Sequence, residues 1–126
     1  MRRALSLALL LLIAPICAMS VARSGQLSPI PDEAPTALGP IPIHRVPHLQ
    51  CKGGPAYGCF HRETWVIEIR ADSISLLQAW QSLEHELFHA DMQVAGIEFD
   101  NPADEDHIAE GAAQGQVLRM RAGWPH

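Results

Sequence analysis

Residues 76–94 read LLQAWQSLEHELFHADMQV, and they carry the strongest structural signal in this chain. Apolar side chains recur three and four residues apart there, which is the spacing of one face of an α-helix. They are Leu76, Leu77, Trp80, Leu83, Leu87 and Phe88. Before them Asp72 or Ser73 offers an N-cap, and after them Gly96 offers the usual C-terminal stop. The pattern predicts an amphipathic helix that ends near residue 94.

A second helix is predicted after a short loop. Asn101 is a favoured N-cap residue, and Pro102 suits the first position of a helix. The acidic residues 104–106 would lie in the first turn, where negative charge complements the positive end of the helix dipole. Two arginines lie in the predicted last turn, so we expect this helix to run to about Ala122.

Residues 64–70, TWVIEIR, precede the first helix, and large apolar side chains occupy every second position from Trp65 to Ile69. Trp65, Ile67 and Ile69 would face one side, and the residues between them the other. A period of two is typical of a half-buried β-strand. With two helices following, the chain is expected to have an α+β fold, with a small antiparallel or mixed sheet, or a hairpin, beside two packed helices.

The N-terminal half differs in composition from the rest. Residues 1–22 combine two early arginines, an apolar run and small residues near position 22, a pattern typical of a secretory signal peptide. The apolar run is short for a membrane span, so no stable span is expected after cleavage. Residues 23–47 contain six prolines and are expected to form a linker or a strap across the surface.

Export would place Cys51 and Cys59 in an oxidising compartment, the periplasm or the extracellular medium. Residues 52–58 between them are rich in glycine and proline, so the chain can turn and bring the two sulfurs together. We therefore expect a disulfide. The formal net charge of −5 argues against a nucleic-acid partner, since phosphate binding needs a basic surface.

Residues 85–89 of the first helix, HELFH, form an H-E-x-x-H pentad. Its two histidines are four residues apart and share one helical face, so both imidazoles can bind one metal ion. Catalytic zinc sites use three protein ligands and leave a position for water. The third ligand must come from elsewhere in the chain. Glu110 on the second helix is the preferred candidate, and His107 and Asp106 on the same face are alternatives.

The pentad and the later Glu110 together resemble the gluzincin branch of the zincin metallopeptidases, whose familiar members are thermolysin-like. The resemblance implies one zinc ion bound by His85, His89 and Glu110, with Glu86 as the general base. It also implies a minimal zincin-like metal-binding domain over residues 48–126. The strand before the first helix would correspond to the edge strand that lines the substrate cleft in that family.

Four further residues are candidates for supporting roles. His61 and Tyr57 lie in or near the cysteine loop, from which either could stabilise a developing oxyanion. Gln114 stands where thermolysin-like enzymes have an aspartate that supports a histidine, so it is a candidate partner of an imidazole N–H. His107 is a candidate for the same kind of support if it is not a ligand.

These observations predict an exported zinc-dependent metallopeptidase that acts on a peptide or protein substrate. A metal-activated water would attack the peptide carbonyl, and Glu86 would take its proton. The alternative is an exported zinc-binding or adaptor module with weak or no catalytic activity. No sequence feature indicates the oligomeric state.

Overall fold

The computed structural model describes residues 27–70, 72 and 74–122. The predicted signal peptide therefore lies outside the described residues. Within them the chain forms six short strands followed by two helices. The elements are β1 (Glu33–Ala34), β2 (Ile41–Val46), β3 (Gln50–Cys51), β4 (Gly54–Pro55), β5 (Gly58–His61), β6 (Val66–Arg70), α1 (Leu76–Ala95) and α2 (Pro102–Arg121).

Four of the strands form one mixed sheet in the order β1-β2-β6-β5. Strands β2 and β6 are parallel, with Ile43 opposite Ile67, whereas β1–β2 and β5–β6 are antiparallel pairs. Helix α1 packs against β5 and β6, and α2 packs against α1. The prediction of an α+β fold with a small mixed sheet and two packed helices is confirmed.

The core lies between the sheet and α1. Ile41, Ile67 and Leu83 are each fully buried, and Ile69 is almost so. Burying a branched aliphatic side chain of this size contributes about 1.5–3 kcal/mol relative to leaving it exposed. Val117 of α2 completes the cluster, so the second helix is held to the rest of the fold by apolar contact. None of the described helices is sufficiently long and apolar to cross a membrane.

Helix α1 begins slightly later than predicted. Its N-cap is Ser75 rather than Asp72 or Ser73, because the Ser75 hydroxyl accepts the backbone N–H of Gln78 at 3.1 Å. The Gln78 side chain in turn accepts the Ser75 N–H at 3.3 Å, which forms a capping box. The C-terminal stop is Gly96 as predicted, with a φ of 68° that glycine adopts without strain.

Helix α2 follows its prediction closely. The Asn101 side chain accepts the backbone N–H of Ala103 at 3.1 Å, so Asn101 is the N-cap. The helix starts at Pro102, which has no N–H to leave unsatisfied. It ends with Ala122 as its C-cap.

The alternating segment forms β6, but the strand starts at Val66 rather than at residue 64. Trp65 has a φ of 56°, and its N–H donates to the carbonyl of His61 at 2.9 Å, so it belongs to the β5–β6 turn. Ile67 and Ile69 are buried on one side, as predicted. The edge-strand prediction is wrong for this segment, because β6 lies between β2 and β5. Strand β5 is at the edge instead.

The proline-rich segment is also more ordered than expected. It contributes β1 and β2 to the sheet, with Ile41 and Ile43 in the core. Proline cannot donate to a ladder, so the prolines around these isoleucines obscured their alternation in the sequence. The boundary predicted at residue 48 therefore falls inside the folded unit, between β2 and β3.

The predicted disulfide joins Cys51 and Cys59, whose Cα atoms are 5.7 Å apart. Between them β3 and β4 pair through a two-residue turn, Lys52-Gly53. Both turn residues have positive φ, 52° and 83°, which is typical of a type I′ hairpin. The disulfide thus fixes this hairpin to the start of β5, beside α1.

Candidate metal centre

The two histidines of the pentad lie on consecutive turns of α1 and face the same direction. Their Nε2 atoms are 3.1 Å apart, as the four-residue spacing predicts. The His89 side chain is 11% exposed and that of His85 is 20% exposed. Both rings are therefore largely shielded from water, while their Nε2 atoms converge on a common point.

The other nitrogen of each ring contacts a carboxylate from α2. His89 Nδ1 is 2.8 Å from Glu105 Oε1, and His85 Nδ1 is 3.2 Å from Glu110 Oε2. An ionised carboxylate can only accept, so the hydrogen-bond network assigns the proton of each neutral ring to Nδ1. Each Nε2 then carries a lone pair. Carboxylate contacts of this kind are usual for metal-binding histidines.

Asp106 supplies an oxygen as the third converging atom at the same point. Its Oδ1 is 3.0 Å from His89 Nε2 and 3.6 Å from His85 Nε2. One proton can satisfy only one pair among three facing lone-pair atoms, whereas a divalent cation can satisfy all three. Zinc ligands at about 2.0–2.2 Å in a tetrahedron are roughly 3.3 Å apart, close to these separations. The donor set therefore fits a zinc ion.

Glu110 does not occupy the place expected for it. It contacts the Nδ1 side of His85, away from the point where the Nε2 atoms meet, and its side chain is 53% exposed. The reason is the crossing of the two helices, which brings Asp106, one turn earlier on α2, to the third position instead. Gln114 donates to Glu110 Oε1 at 3.1 Å, so it supports a carboxylate rather than an imidazole.

Of the remaining candidates, Tyr57 lies beside the converging atoms, whereas His61 and His107 do not. Tyr57 is half-exposed and lines a cavity with Gly58, His85 and Glu86, so it lies beside the cluster. His61 is 2.5 Å from Glu68 across the β5–β6 hairpin, and it lines none of the cavities at the cluster. His107 is exposed on α2 and does not join the three converging atoms.

Glu105 is a functional candidate that the sequence reasoning missed. It is one of only two charged or polar residues that are buried among the described residues, the other being its partner His89. The spacing of residues on α2 could have predicted that Glu105 is buried. Glu105, Ala109, Ala113 and Val117 recur every four residues and form the buried face of α2. A carboxylate at the head of such an apolar stripe must face its neighbouring helix.

Glu86 lies on α1 beside the edge strand β5. Desolvation raises the pKa of its carboxyl, while the nearby His85 and His89, the Phe60 backbone N–H and Lys52 act in the opposite direction. Strand β5 can approach because Gly58 has no side chain, and a Cβ there would lie 3.1 Å from Glu86 Cγ. Glu86 therefore lies close to β5, and it lines the cleft between β5 and α1.

Glu86 and the three converging residues line one cleft of about 700 Å³. One wall of this cleft is β5 and the disulfide hairpin, and the other is formed by α1 and the N-terminal turn of α2. Three groups that could hold a metal ion, a buried carboxylate and space for a ligand thus lie together. This is the arrangement required for hydrolysis by an activated water.

Comparisons with protein-family models, with curated proteins and with solved structures found no match for this chain. The functional assignment therefore rests on the residues and on the geometry of the cleft. Nothing in the comparisons favours or excludes the resemblance to the zincins.

Proposed function

We propose that this chain is an exported zinc-dependent metallopeptidase that hydrolyses a peptide or protein substrate. The observation that carries the proposal is the convergence of two Nε2 atoms and one Oδ1 atom within 3.6 Å, with Glu86 in the same cleft. The N-terminal pattern of residues 1–22 and the Cys51–Cys59 disulfide support export.

In this proposal His85, His89 and Asp106 hold the zinc ion. Glu105 and Glu110 fix the tautomer and the orientation of the two imidazoles, because each accepts an Nδ1–H. When bound, zinc would supply a Lewis acid and would make a coordinated water more acidic. Asp106 replaces Glu110 as the proposed third ligand.

Glu86 is the proposed general base. Its carboxylate shares the cleft with the two imidazoles and can accept a proton from the attacking water. The same carboxyl can then donate that proton to the leaving amine. Burial raises the pKa of Glu86, which makes the group a better base than an exposed glutamate.

The edge strand β5 supports a peptide as the substrate. One side of β5 pairs with β6, and the other side has no strand partner in the described sheet. An extended peptide can bind to such an edge through backbone hydrogen bonds, which places its carbonyl groups along the cleft. Phe60 and Gly58 of β5 both line that cleft.

The test is the substitution Glu86→Gln. We expect it to lower peptide hydrolysis by about 10²–10⁴-fold, as for loss of a general base, while zinc content stays at one ion per chain. Glu63→Gln, in the exposed β5–β6 turn, is the matched control and should keep full activity. Chelator-sensitive cleavage and elemental analysis would be measured together. Full activity of the Glu86→Gln protein would refute the assigned base.

A zinc-binding or adaptor module without turnover is the second candidate. It is favoured by one observation, that Gln114, which stands where thermolysin-like enzymes have an aspartate, donates to Glu110 and makes no hydrogen bond to an imidazole among the described residues. This candidate predicts stoichiometric zinc with no chelator-sensitive cleavage of an unfolded protein. The peptidase proposal predicts both.

A further inference from the structure

The charge distribution along the cleft is uneven. The chain has a net charge of −5, yet two cations, Lys52 and Arg62, line the cleft that contains His85 and His89. Lys52 is at the tip of the disulfide hairpin, and Arg62 directly follows β5. The same two cations line an adjoining cavity near the C-terminal end of α1, together with Glu98, Glu105 and Asp106. Glu105 contacts His89 and Asp106 is a proposed zinc ligand, which leaves Glu98 as the acid of that cavity without a role in the proposed hydrolysis.

Most of the other described cations have a polar partner. Arg45 pairs with Asp32, Arg70 pairs with Asp72, and Arg119 donates to Gln116. By contrast, Arg62 makes no ion pair or side-chain hydrogen bond within the described part of the chain. The charge of Lys52 acts on Glu86, whose pKa it lowers. Arg62 is therefore available to a ligand.

The anions of the cleft already have roles in the proposed hydrolysis. Glu86 is the proposed general base and Asp106 a proposed zinc ligand, and among the described residues they are the only two acids that line the 700 Å³ cleft. Once they are so used, Lys52 and Arg62 are its remaining charged groups. A ligand carboxylate at this position would meet two cations.

The opposite end of the cleft differs in the charge of its lining residues. No lysine or arginine among the described residues lines the cavity there, which is formed by Tyr57, Gly58, Gln78, Gln81, Ser82, His85, Glu86 and Glu110. Because α1 extends past both cavities, a bound peptide would run from an end without lysine or arginine to an end where Lys52 and Arg62 lie. Electrostatic complementarity of this kind favours one substrate charge and disfavours the other.

We propose that the cleft selects substrates that carry a carboxylate, held by Arg62 and Lys52 at the end of the cleft near the C-terminus of α1. The carboxylate is either an acidic side chain close to the scissile bond or the C-terminal group of a short peptide. This inference rests on the proposed function, since it names the substrate chemistry of the same site.

The experiment compares matched peptides with the zinc-loaded mature protein. One set carries Glu, Gln or Lys at each position flanking the scissile bond, with a blocked C-terminus. A second set carries neutral residues only, with a free or an amidated C-terminus, which separates the two sources of the carboxylate. Binding to the Glu86→Gln protein is measured by calorimetry in parallel, so recognition is read independently of cleavage.

Arg62→Gln is the main variant, because Arg62 is not among the groups that shift the pKa of Glu86. We expect it to reduce the preference for the carboxylate peptide over its neutral match by about 2- to 5-fold, the range for one exposed charge pair. Lys52→Gln should act in the same direction. Arg119→Gln removes a charge on α2 outside the cleft and should leave the preference unchanged. Salt at about 0.5 M should weaken the preference in the unmodified protein.

The outcomes separate the inference from the proposed function. Cleavage without any charge preference would overturn the inference and leave the peptidase intact. Charge-dependent binding without cleavage would support the inference and overturn the peptidase. A preference that Arg62→Gln and Arg119→Gln reduce equally would also overturn the inference, because the effect would then be one of net charge.

Discussion

Substitution of Glu105 is the most informative perturbation of the proposed metal site. Glu105 contacts no metal in the proposal, yet its side chain is only 11% exposed and lies 2.8 Å from His89 Nδ1. It fixes which nitrogen of His89 carries the proton and therefore which nitrogen is free to bind zinc. The change Glu105→Gln keeps the shape and one acceptor oxygen but removes the charge.

The magnitude follows from the environment of this contact. Loss of a carboxylate behind a zinc-binding histidine lowers metal affinity by about 10- to 100-fold, or roughly 1.4–2.7 kcal/mol. Glu110 makes the equivalent contact to His85 at 3.2 Å, but its side chain is 53% exposed, so water can replace it. Glu110→Gln should therefore lower zinc affinity by less than about 5-fold.

The assay is a zinc titration against a competing chelator at neutral pH for both variants. Circular dichroism without metal provides the control for folding. Glu105→Gln should retain its secondary structure, because the amide oxygen can still accept the Nδ1–H. Glu105→Ala should be less stable by about 1–3 kcal/mol, since it leaves a buried N–H without a partner. Unchanged zinc affinity in Glu105→Gln, or equal losses in the two amide variants, would refute the reasoning.

Three further predictions concern the scaffold. Gly58→Ala should lower the free energy of unfolding by about 1–3 kcal/mol and also lower kcat, because the added Cβ would lie 3.1 Å from Glu86 Cγ. Gly54→Ala is the control, since a Cβ there meets open space, and equal melting temperatures of the two variants would contradict the prediction. Leu83→Ala should cost about 2–5 kcal/mol in urea unfolding, because Leu83 is fully buried, and a smaller loss would place Leu83 outside the core. Replacing both Cys51 and Cys59 by Ala should cost about 2.5 kcal/mol, from the loop entropy of their eight-residue separation. Indistinguishable unfolding of reduced and oxidised protein would contradict that estimate.

Local patterns in the sequence predicted the elements that local chemistry determines. The apolar spacing and Gly96 predicted α1, and Asn101-Pro102 predicted the start of α2. The glycine-rich loop predicted the disulfide. Each of these signals acts within a few residues, so no knowledge of the tertiary structure is needed to read it.

The misses have a common physical origin in contacts between distant segments. Strand β2 owes its place to a parallel pairing with β6, which no local pattern in a proline-rich segment reveals. The third ligand position of the proposed metal site depends on the register between α1 and α2. A difference of one helical turn on α2 exchanges Glu110 for Asp106. The four-residue spacing of Glu105, Ala109, Ala113 and Val117 carries that register in the sequence, but it was not recognised there.

The most direct test of the account is an anomalous diffraction map recorded at the zinc absorption edge from crystals grown with zinc. The account predicts one peak, about 2.0–2.2 Å from His85 Nε2, His89 Nε2 and Asp106 Oδ1. No peak at that position, or a peak whose ligands exclude Asp106, would contradict it.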